Sequence, residues 1–257
     1  MNKNSSNKIE IIPVRLNTDV KPNDKLYTLI LKSLRESKQS LCDNDILVIA
    51  HKIVSKSENR IIDLRKIRPT SRSVAIAKEH GKDPRLVQLI LNESKDILRI
   101  SGGIIIVETA HGLICANAGI DQSNIEQSSN YAALLPEDPD RSARKIKEAL
   151  KKNTGKDTAI VISDTFGRPF REGQINVAIG ISGLEPLKSY IGKTDMYRKK
   201  LRVTQIAIAD ELASAAELAM GKADRIPIVI IRGYKYQRAQ KSSVSQLIRI
   251  KQRDLFR

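Results

Sequence analysis

The chain has 257 residues, with 45 Lys and Arg against 29 Asp and Glu, a formal charge of +16, and only 6 Tyr, 3 Phe and no Trp. That length allows one large core or two modest ones, and apolar runs such as 104–107 and 226–231 fall far short of the roughly 20 residues a membrane-spanning helix needs. The charge suggests nucleic acid first, but single-strand binders interleave basic patches with stacking aromatics, and only Tyr190, Tyr197, Tyr234 and Tyr236 lie near the basic stretches.

Residues 1–8 are polar and lack the apolar stretch of a secretory signal, so a disordered amino terminus and a cytoplasmic location are expected. Residues 9–14 alternate around Pro13 and predict an edge strand. From Asp24, Leu26, Leu29, Ile30 and Leu34 recur at helical spacing. Residues 45–50 read as a buried strand delivering His51, Lys52 and Lys56. Helices follow over 73–80 and 84–93, then a meander over 97–100, 103–108 and 112–116, with turns at Gly102-Gly103 and His111-Gly112. Pro139 and Gly155 punctuate a basic helix over 140–152. Residues 158–163 predict a strand ending in Asp164, and a Gly-rich stretch to Gly183 holds a short strand over 177–181. An Ala-rich helix over 206–220, a buried strand over 226–231 and a basic helix over 244–256 complete the chain. Strands and helices mix without strict alternation, which favours an α+β fold of mixed, largely antiparallel sheets. Cys42 and Cys115, far apart and without a CxxC, build neither a disulfide framework nor a cysteine zinc site and are expected to be small buried residues.

The basic excess is concentrated. Residues 141–156, 188–202 and 232–257 carry +6, +5 and +7, more than the whole-chain charge of +16, so the remainder is slightly acidic. Solvated helix faces or recognition of a polyanionic small molecule explain this more simply than nucleic acid, which is not expected as a partner. Among nucleotide motifs, Gly192-Lys193-Thr194 ends like a P-loop, but Leu187 stands where its first glycine belongs. A dinucleotide glycine fingerprint, an HExxH and a serine elbow are also missing.

What remains is a set of acids and amides at strand ends. Asp121 and Asn124 follow the glycine turn in Asn117-Ala-Gly-Ile-Asp-Gln-Ser-Asn124. Asp164 and Thr165 sit where a hydrophobic strand emerges, ahead of Arg168 and Arg171. Hard divalent cations take such oxygen ligands and bridge them to substrate phosphates, whereas an isolated Asp more often caps a turn. Arg168 and Arg171 suit carboxylate or phosphate by forked hydrogen bonds and are the candidates for work at the reaction centre, gripping a substrate carboxylate or a phosphodiester. His51, Lys52 and Lys56 suit phosphate contact, against the alternative of a solvated strand exit. Glu211 and Glu217 read as ordinary helix polarity, and the lone His80 and His111 carry no assigned role. The residues alone support a metal-dependent enzyme acting on anionic, phosphorylated substrates. A phosphotransfer enzyme and a basic nucleic-acid-binding protein stay as alternatives.

Those segments, together with Asp45-Ile-Leu-Val-Ile-Ala-His-Lys-Ile-Val-Ser-Lys56, Leu134-Leu-Pro-Glu-Asp-Pro-Asp140, Ser163-Asp-Thr-Phe-Gly-Arg-Pro169, Ala178-Ile-Gly-Ile-Ser-Gly183 and Ala209-Asp-Glu-Leu-Ala-Ser-Ala-Ala-Glu-Leu-Ala-Met-Gly221, occur in one order. Together they closely resemble the coenzyme F420:L-glutamate ligase family, also called F420-0:gamma-glutamyl ligase, over residues 9–233, leaving 234–257 as a basic terminal helix. The resemblance implies an unusual α+β nucleotide-binding fold without a P-loop. It also implies a homodimer, and a GTP-dependent ligase that joins L-glutamate to F420-0 and then adds a gamma-linked glutamate to F420-1. Its implied cofactors are two divalent ions, Mg or Mn, with a monovalent cation as an optional addition.

By the same resemblance, Asp121 and Asp164 hold the first metal and Thr165 the second. GTP is contacted by His51, Lys52, Lys56 and Asn124, by the amino-terminal loop containing Asn17, Thr18, Asp19 and Val20, and by Met220, Gly221 and Lys222 in the segment 220–227. The chain departs from the family pattern twice. Leu16-Asn-Thr-Asp-Val20 stands where relatives often carry Gly-Leu-Pro-Leu-Ile, and Lys222 stands where a glutamine can serve near the second metal. A protonated Lys222 is no ligand, so a backbone carbonyl or water would have to substitute.

Overall fold

The computed structural model describes residues 8–123, 125 and 130–254. Its first half contains β1 (Glu10–Val14), α1 (Leu26–Glu36), β2 (Ile46–Ala50), α2 (His51–Ser57), β3 (Ile61–Asp63), α3 (Ser71–His80), α4 (Pro84–Asn92), β4 (Ser94–Ser101), β5 (Ile104–Thr109) and β6 (Ile114–Ala116). Then come β7 (Tyr131–Ala133), α5 (Pro139–Thr154), β8 (Ala159–Arg168), β9 (Arg171–Ser182), β10 (Leu187–Ser189), β11 (Gln205–Ala207), α6 (Ile208–Met220) and β12 (Ile228–Arg232). The fold is α+β with largely antiparallel sheets, as the mixed element order predicts.

The central sheet has five strands in the order β1-β12-β2-β8-β9. Only β2 and β8 run parallel in it; the other neighbours are antiparallel. Its register follows from side-chain alternation. Leu47, Ile49, Ile160, Ile162, Ile228 and Ile230 face one side, where Ile30 and Leu34 of α1 and Ile146 and Leu150 of α5 cover them. Ile46, Val48, Ala159, Val161, Val229 and Ile231 face the other, against Leu212, Ala213 and Ala216 of α6. With both faces covered the strands read as continuous apolar runs. Burying each Ile or Val is worth about 1.5–3 kcal/mol against about 1 kcal/mol for a helix cap, so this alternation sets the register. Pro13 is accommodated because β1 is an edge strand.

The helix α5 is pinned onto the sheet at its first turn. Asp138 caps it by accepting from the Arg141 N–H, Pro139 opens it and Gly155 closes it in the left-handed region. Asp140 Oδ1 accepts from the Ile181 N–H at 2.8 Å. A Cβ on Gly180 would lie 2.5 Å from Pro139, so only glycine permits this approach. A smaller unit packs α3 and α4 on the β4-β5-β6 meander around Val87, Ile90, Ile105 and Val107. The β3-β7 ladder, with Leu64, Leu89, Ala132 and Leu134 around it, lies beside this unit.

Three expectations differ from the structure. The strand at 158–163 does not end at Asp164 but runs to Arg168, and the Gly-rich stretch returns from Arg171 as the long strand β9. Residues 51–56, for which a solvated strand exit stood as the alternative to phosphate contact, form helix α2 with His51, Ile53, Val54 and Ser55 buried. Over 244–254 there are two short 3-10 turns, Val244–Leu247 and Lys251–Arg253, where a terminal helix was expected. Ile248 and Ile250 have extended backbone and separate the two turns. Finally, Cys42 is exposed, and only Cys115 is buried. Among the described residues no helix is long and apolar enough to cross a membrane.

Candidate active site

The parallel pairing of β2 and β8 sets Ala50 opposite Ser163, and the Ala50 N–H donates to Pro227 O at 2.9 Å just before β12 begins. The end of β2, the middle of β8 and the start of β12 therefore meet at one place. A cavity of about 1170 Å³ opens there, walled by the loop after β1, the first turn of α2, Asp121, β8 and the segment 220–227.

On one wall, His51 opens α2 and is 2 % exposed. Its Nε2 lies 3.1 Å from Asp164 Oδ1 but out of line for a hydrogen bond, and Ser163 Oγ beside it is likewise buried without a partner. Two unsatisfied polar atoms at one cavity mark where a ligand would be received. Asp164 Oδ1 also accepts from the Thr165 N–H at 2.7 Å. Burial holds the Cys115 thiol at about 12, with the Asp164 charge adding to the shift.

Asp121 is fixed by its backbone. It exchanges two hydrogen bonds with Ala133, after three consecutive left-handed residues, Asn117, Ala118 and Gly119, a conformation costing a non-glycine residue roughly 1–2 kcal/mol. Lys52 Nζ lies 2.7 Å from Asp121 Oδ2 and donates to Ser123 Oγ at 2.7 Å, while the Ser123 N–H donates to Asp121 Oδ1 at 2.6 Å. Burial pushes the Asp121 carboxyl up, but the bonds from Lys52 and Ser123 outweigh it and hold the group below its ordinary range.

The opposite wall is a closed ring of hydrogen bonds. Lys222 Nζ lies 2.8 Å from Glu217 Oε1 and donates to Thr165 Oγ1 at 2.8 Å. The Thr165 hydroxyl donates to Asn176 Oδ1 at 2.7 Å, and Asn176 Nδ2 to Glu217 Oε2 at 2.9 Å. The ring ties together β8, β9, the end of α6 and the loop beyond it. That loop turns at Gly221, whose φ of 56° and ψ of −168° are essentially glycine-only.

The structure thus brings Thr18, Asp19, Val20, His51, Lys52, Lys56, Asp121, Asp164, Thr165, Met220, Gly221 and Lys222 to one cavity. Asn17 does not line it; its side chain donates to Glu36 Oε2 on α1 at 3.1 Å. Asn124 lies outside the described residues. Arg168 and Arg171 do not line it either: they stand at the turn between β8 and β9, where Arg168 donates to the main-chain oxygens of Glu172 and Gly173. Sequence reasoning missed Ser123, Ser163 and Asn176, and assigned Glu217 to helix polarity. Only the pairing of β8 with β9, Thr165 opposite Asn176, would have revealed the ring.

The donor chemistry separates two cation positions. Among the described residues no group of three or more His, Cys, Asp or Glu side chains is placed to hold a metal. Asp121 and Asp164 suit an Mg-like ion, which is commonly bound by one or two carboxylates together with substrate phosphates. Lys52 also lies against Asp121, but a carboxylate carries a full charge and about four acceptor sites, whereas the neutral Thr165 hydroxyl has about two and already accepts from the Lys222 ammonium, so Thr165 does not suit a second ion.

The F420-0:gamma-glutamyl ligase family profile matches residues 15–233. The coenzyme F420:L-glutamate ligase of Methanothermobacter thermautotrophicus is 48 % identical over 236 residues, covering 91 % of this chain and 93 % of that protein. The ligase of the same name from Methanopyrus kandleri is 44 % identical over 255 residues, 97 % and 98 % of the two chains. That from Methanocaldococcus jannaschii is 46 % identical over 216 residues, 84 % and 85 %. With the family segment spanning every wall of the cavity, the chain belongs to the F420-0:gamma-glutamyl ligase family.

Proposed function

We propose that this protein uses GTP to join L-glutamate to F420-0 by an amide bond and then adds a gamma-linked glutamate to F420-1. The supporting observation is that the segments aligned with ligases over 91 % of the chain are those that converge on one cavity lined with carboxylates and ammonium groups.

A carboxylate is a poor acyl donor, so activation comes first. A carboxylate oxygen of the F420 precursor attacks the γ-phosphorus of GTP, the bond to the β-γ bridging oxygen breaks, and GDP leaves an acyl phosphate. The glutamate amine, having lost its proton, attacks the carbonyl carbon; the bond to the phosphate oxygen breaks and inorganic phosphate departs. Phosphoryl transfer of this kind asks the protein for positioning and charge rather than a nucleophile. Held by Asp121 and Asp164, an Mg or Mn ion would offset charge on the phosphoryl oxygens. His51, Lys52 and Lys56 at the start of α2 would meet the phosphates, and the two loops that face each other, 16–20 and 220–227, would enclose the nucleotide. The active form is read as a homodimer.

Incubation with GTP, MnCl2, L-glutamate and F420-0 tests the reading by mass spectrometry. One and then two glutamyl additions, with matching GDP, are expected. GTP hydrolysis without any glutamyl addition would replace the ligase with a phosphotransfer enzyme acting on another anion.

A further inference from the structure

We propose that the Lys222 ammonium is the resident second cation of this site, so that a protomer with nucleotide bound takes up one divalent ion and not two. The inference rests on the GTP and metal reading above and deepens it.

Three observations carry it. First, the ammonium sits among the oxygens a second hard ion would need, 2.8 Å from Glu217 Oε1 and 2.8 Å from Thr165 Oγ1. A divalent ion coordinating Thr165 at about 2.1 Å would have to evict Nζ or sit against a like charge.

Second, the ring leaves those oxygens committed. Thr165 spends its proton on Asn176 Oδ1, and Asn176 spends a donor on Glu217 Oε2, so the Thr165 oxygen accepts from Lys222 in a fixed direction. Asn176 is 4 % exposed and bridges β9 and α6, so the Thr165–Asn176–Glu217 part of the ring belongs to the scaffold, and the half-exposed Lys222 side chain closes it from the solvent side.

Third, the backbone holds Lys222 in place. It follows Gly221, where a Cβ would lie 2.6 Å from Asp224 Oδ2, so the turn that sets residue 222 against β8 cannot easily be rebuilt. Lys52 is not a substitute, since it lies against Asp121 instead. A compact, three-donor ammonium is a common partner for phosphate oxygens, and one anchored on Glu217 supplies positive charge without a metal. Glutamine at 222 would instead leave the Glu217 carboxylate without its cation and open to a metal.

The test counts ions. Wild type, Lys222→Gln and Lys222→Ala are dialysed to equilibrium against Mn2+ with saturating guanylyl imidodiphosphate, and retained manganese is counted per bound nucleotide. One ion in the wild type and two in either variant is the expected result, with circular dichroism checking that the variants fold. Two ions in the wild type would overturn the inference while leaving the GTP and metal reading standing. One ion in all three proteins would also overturn it, because removing the ammonium would then have opened no site. Absence of any nucleotide-dependent manganese would overturn the underlying reading, and this inference with it.

Discussion

Asp164 meets three groups at once: the His51 ring, the Thr165 N–H and the cavity. Asp164→Asn keeps an oxygen for the Thr165 N–H but removes the charge. The expected outcome is a native-like melting curve with glutamyl addition slowed by about 10²-fold or more, the scale seen when a preorganised electrostatic partner is lost. Ligation within tenfold of wild type would sink the metal assignment. Asp121 offers a pH test. Its carboxyl is held below the ordinary 3.8, so its stabilisation is complete above that value and is lost as pH falls through the lower folded value. In metal-free protein Lys52→Met should therefore lower the urea midpoint by a constant amount from about pH 7 to 5, with the gap closing below about pH 4. A gap independent of pH would mean that Lys52 acts through packing alone. Asp121 and Asp164 were legible because a carboxylate after a turn or a buried strand is unusual in a run of apolar residues. Glu217 and Asn176 were not, since an acid on a helix and an amide in a Gly-rich stretch gain meaning only from each other, across 41 positions.

At the scale of elements, the β8-β9 hairpin decides what the site can contain. A strand rises roughly 3.3 Å per residue, so carrying β8 on past Asp164 puts Arg168 about 13 Å further along. Reading the strand as ending at Asp164 had placed both arginines beside the acids. The hairpin was hidden because Thr165 and Asn176 present polar groups to a cavity instead of to solvent, which breaks the usual apolar alternation of a strand. The helices were more legible: Asp138, Pro139 and Gly155 bound α5 by local chemistry alone. By contrast β3, β7, β10 and β11 are three residues each and exist only through distant partners. Gly180→Ala tests how tightly α5 is seated. A methyl 2.5 Å from Pro139 backbone and side-chain atoms must push the helix away, and a loss of about 1–3 kcal/mol in urea denaturation is expected. An unchanged midpoint would show that α5 can slide without cost.

For the whole molecule, the +16 charge divides by location. Residues 157–187 and 203–231, which supply nearly half of the residues lining the cavity, are each net −2, and the basic excess lies in α5, the connection between β10 and β11, and the tail. The proposed substrates, GTP, glutamate and the F420 precursor, are anions, and a basic surround would raise their local concentration. The tail is also a strap: Arg238 grips Asn44 and Asp157, Val244 is buried, and burial holds the Tyr236 hydroxyl at about 12. Truncation after Gly233, where the family match ends, should lower stability by about 3–5 kcal/mol from lost charged hydrogen bonds and apolar burial, read as a lower urea midpoint. Its basic character was legible in the sequence; its attachment was not, because each anchor is a single residue. One feature of the sheet bears on how the chain is made. β12 is inserted between β1 and β2, so the strand synthesised last fills the gap between the two synthesised first. During vectorial synthesis the ribosome must release residue 232 before β1 gains any sheet neighbour and before β2, already free to pair with β8, gains its second. Until then the nascent chain exposes two unpaired apolar edges, a period in which chaperones and proteases compete for it.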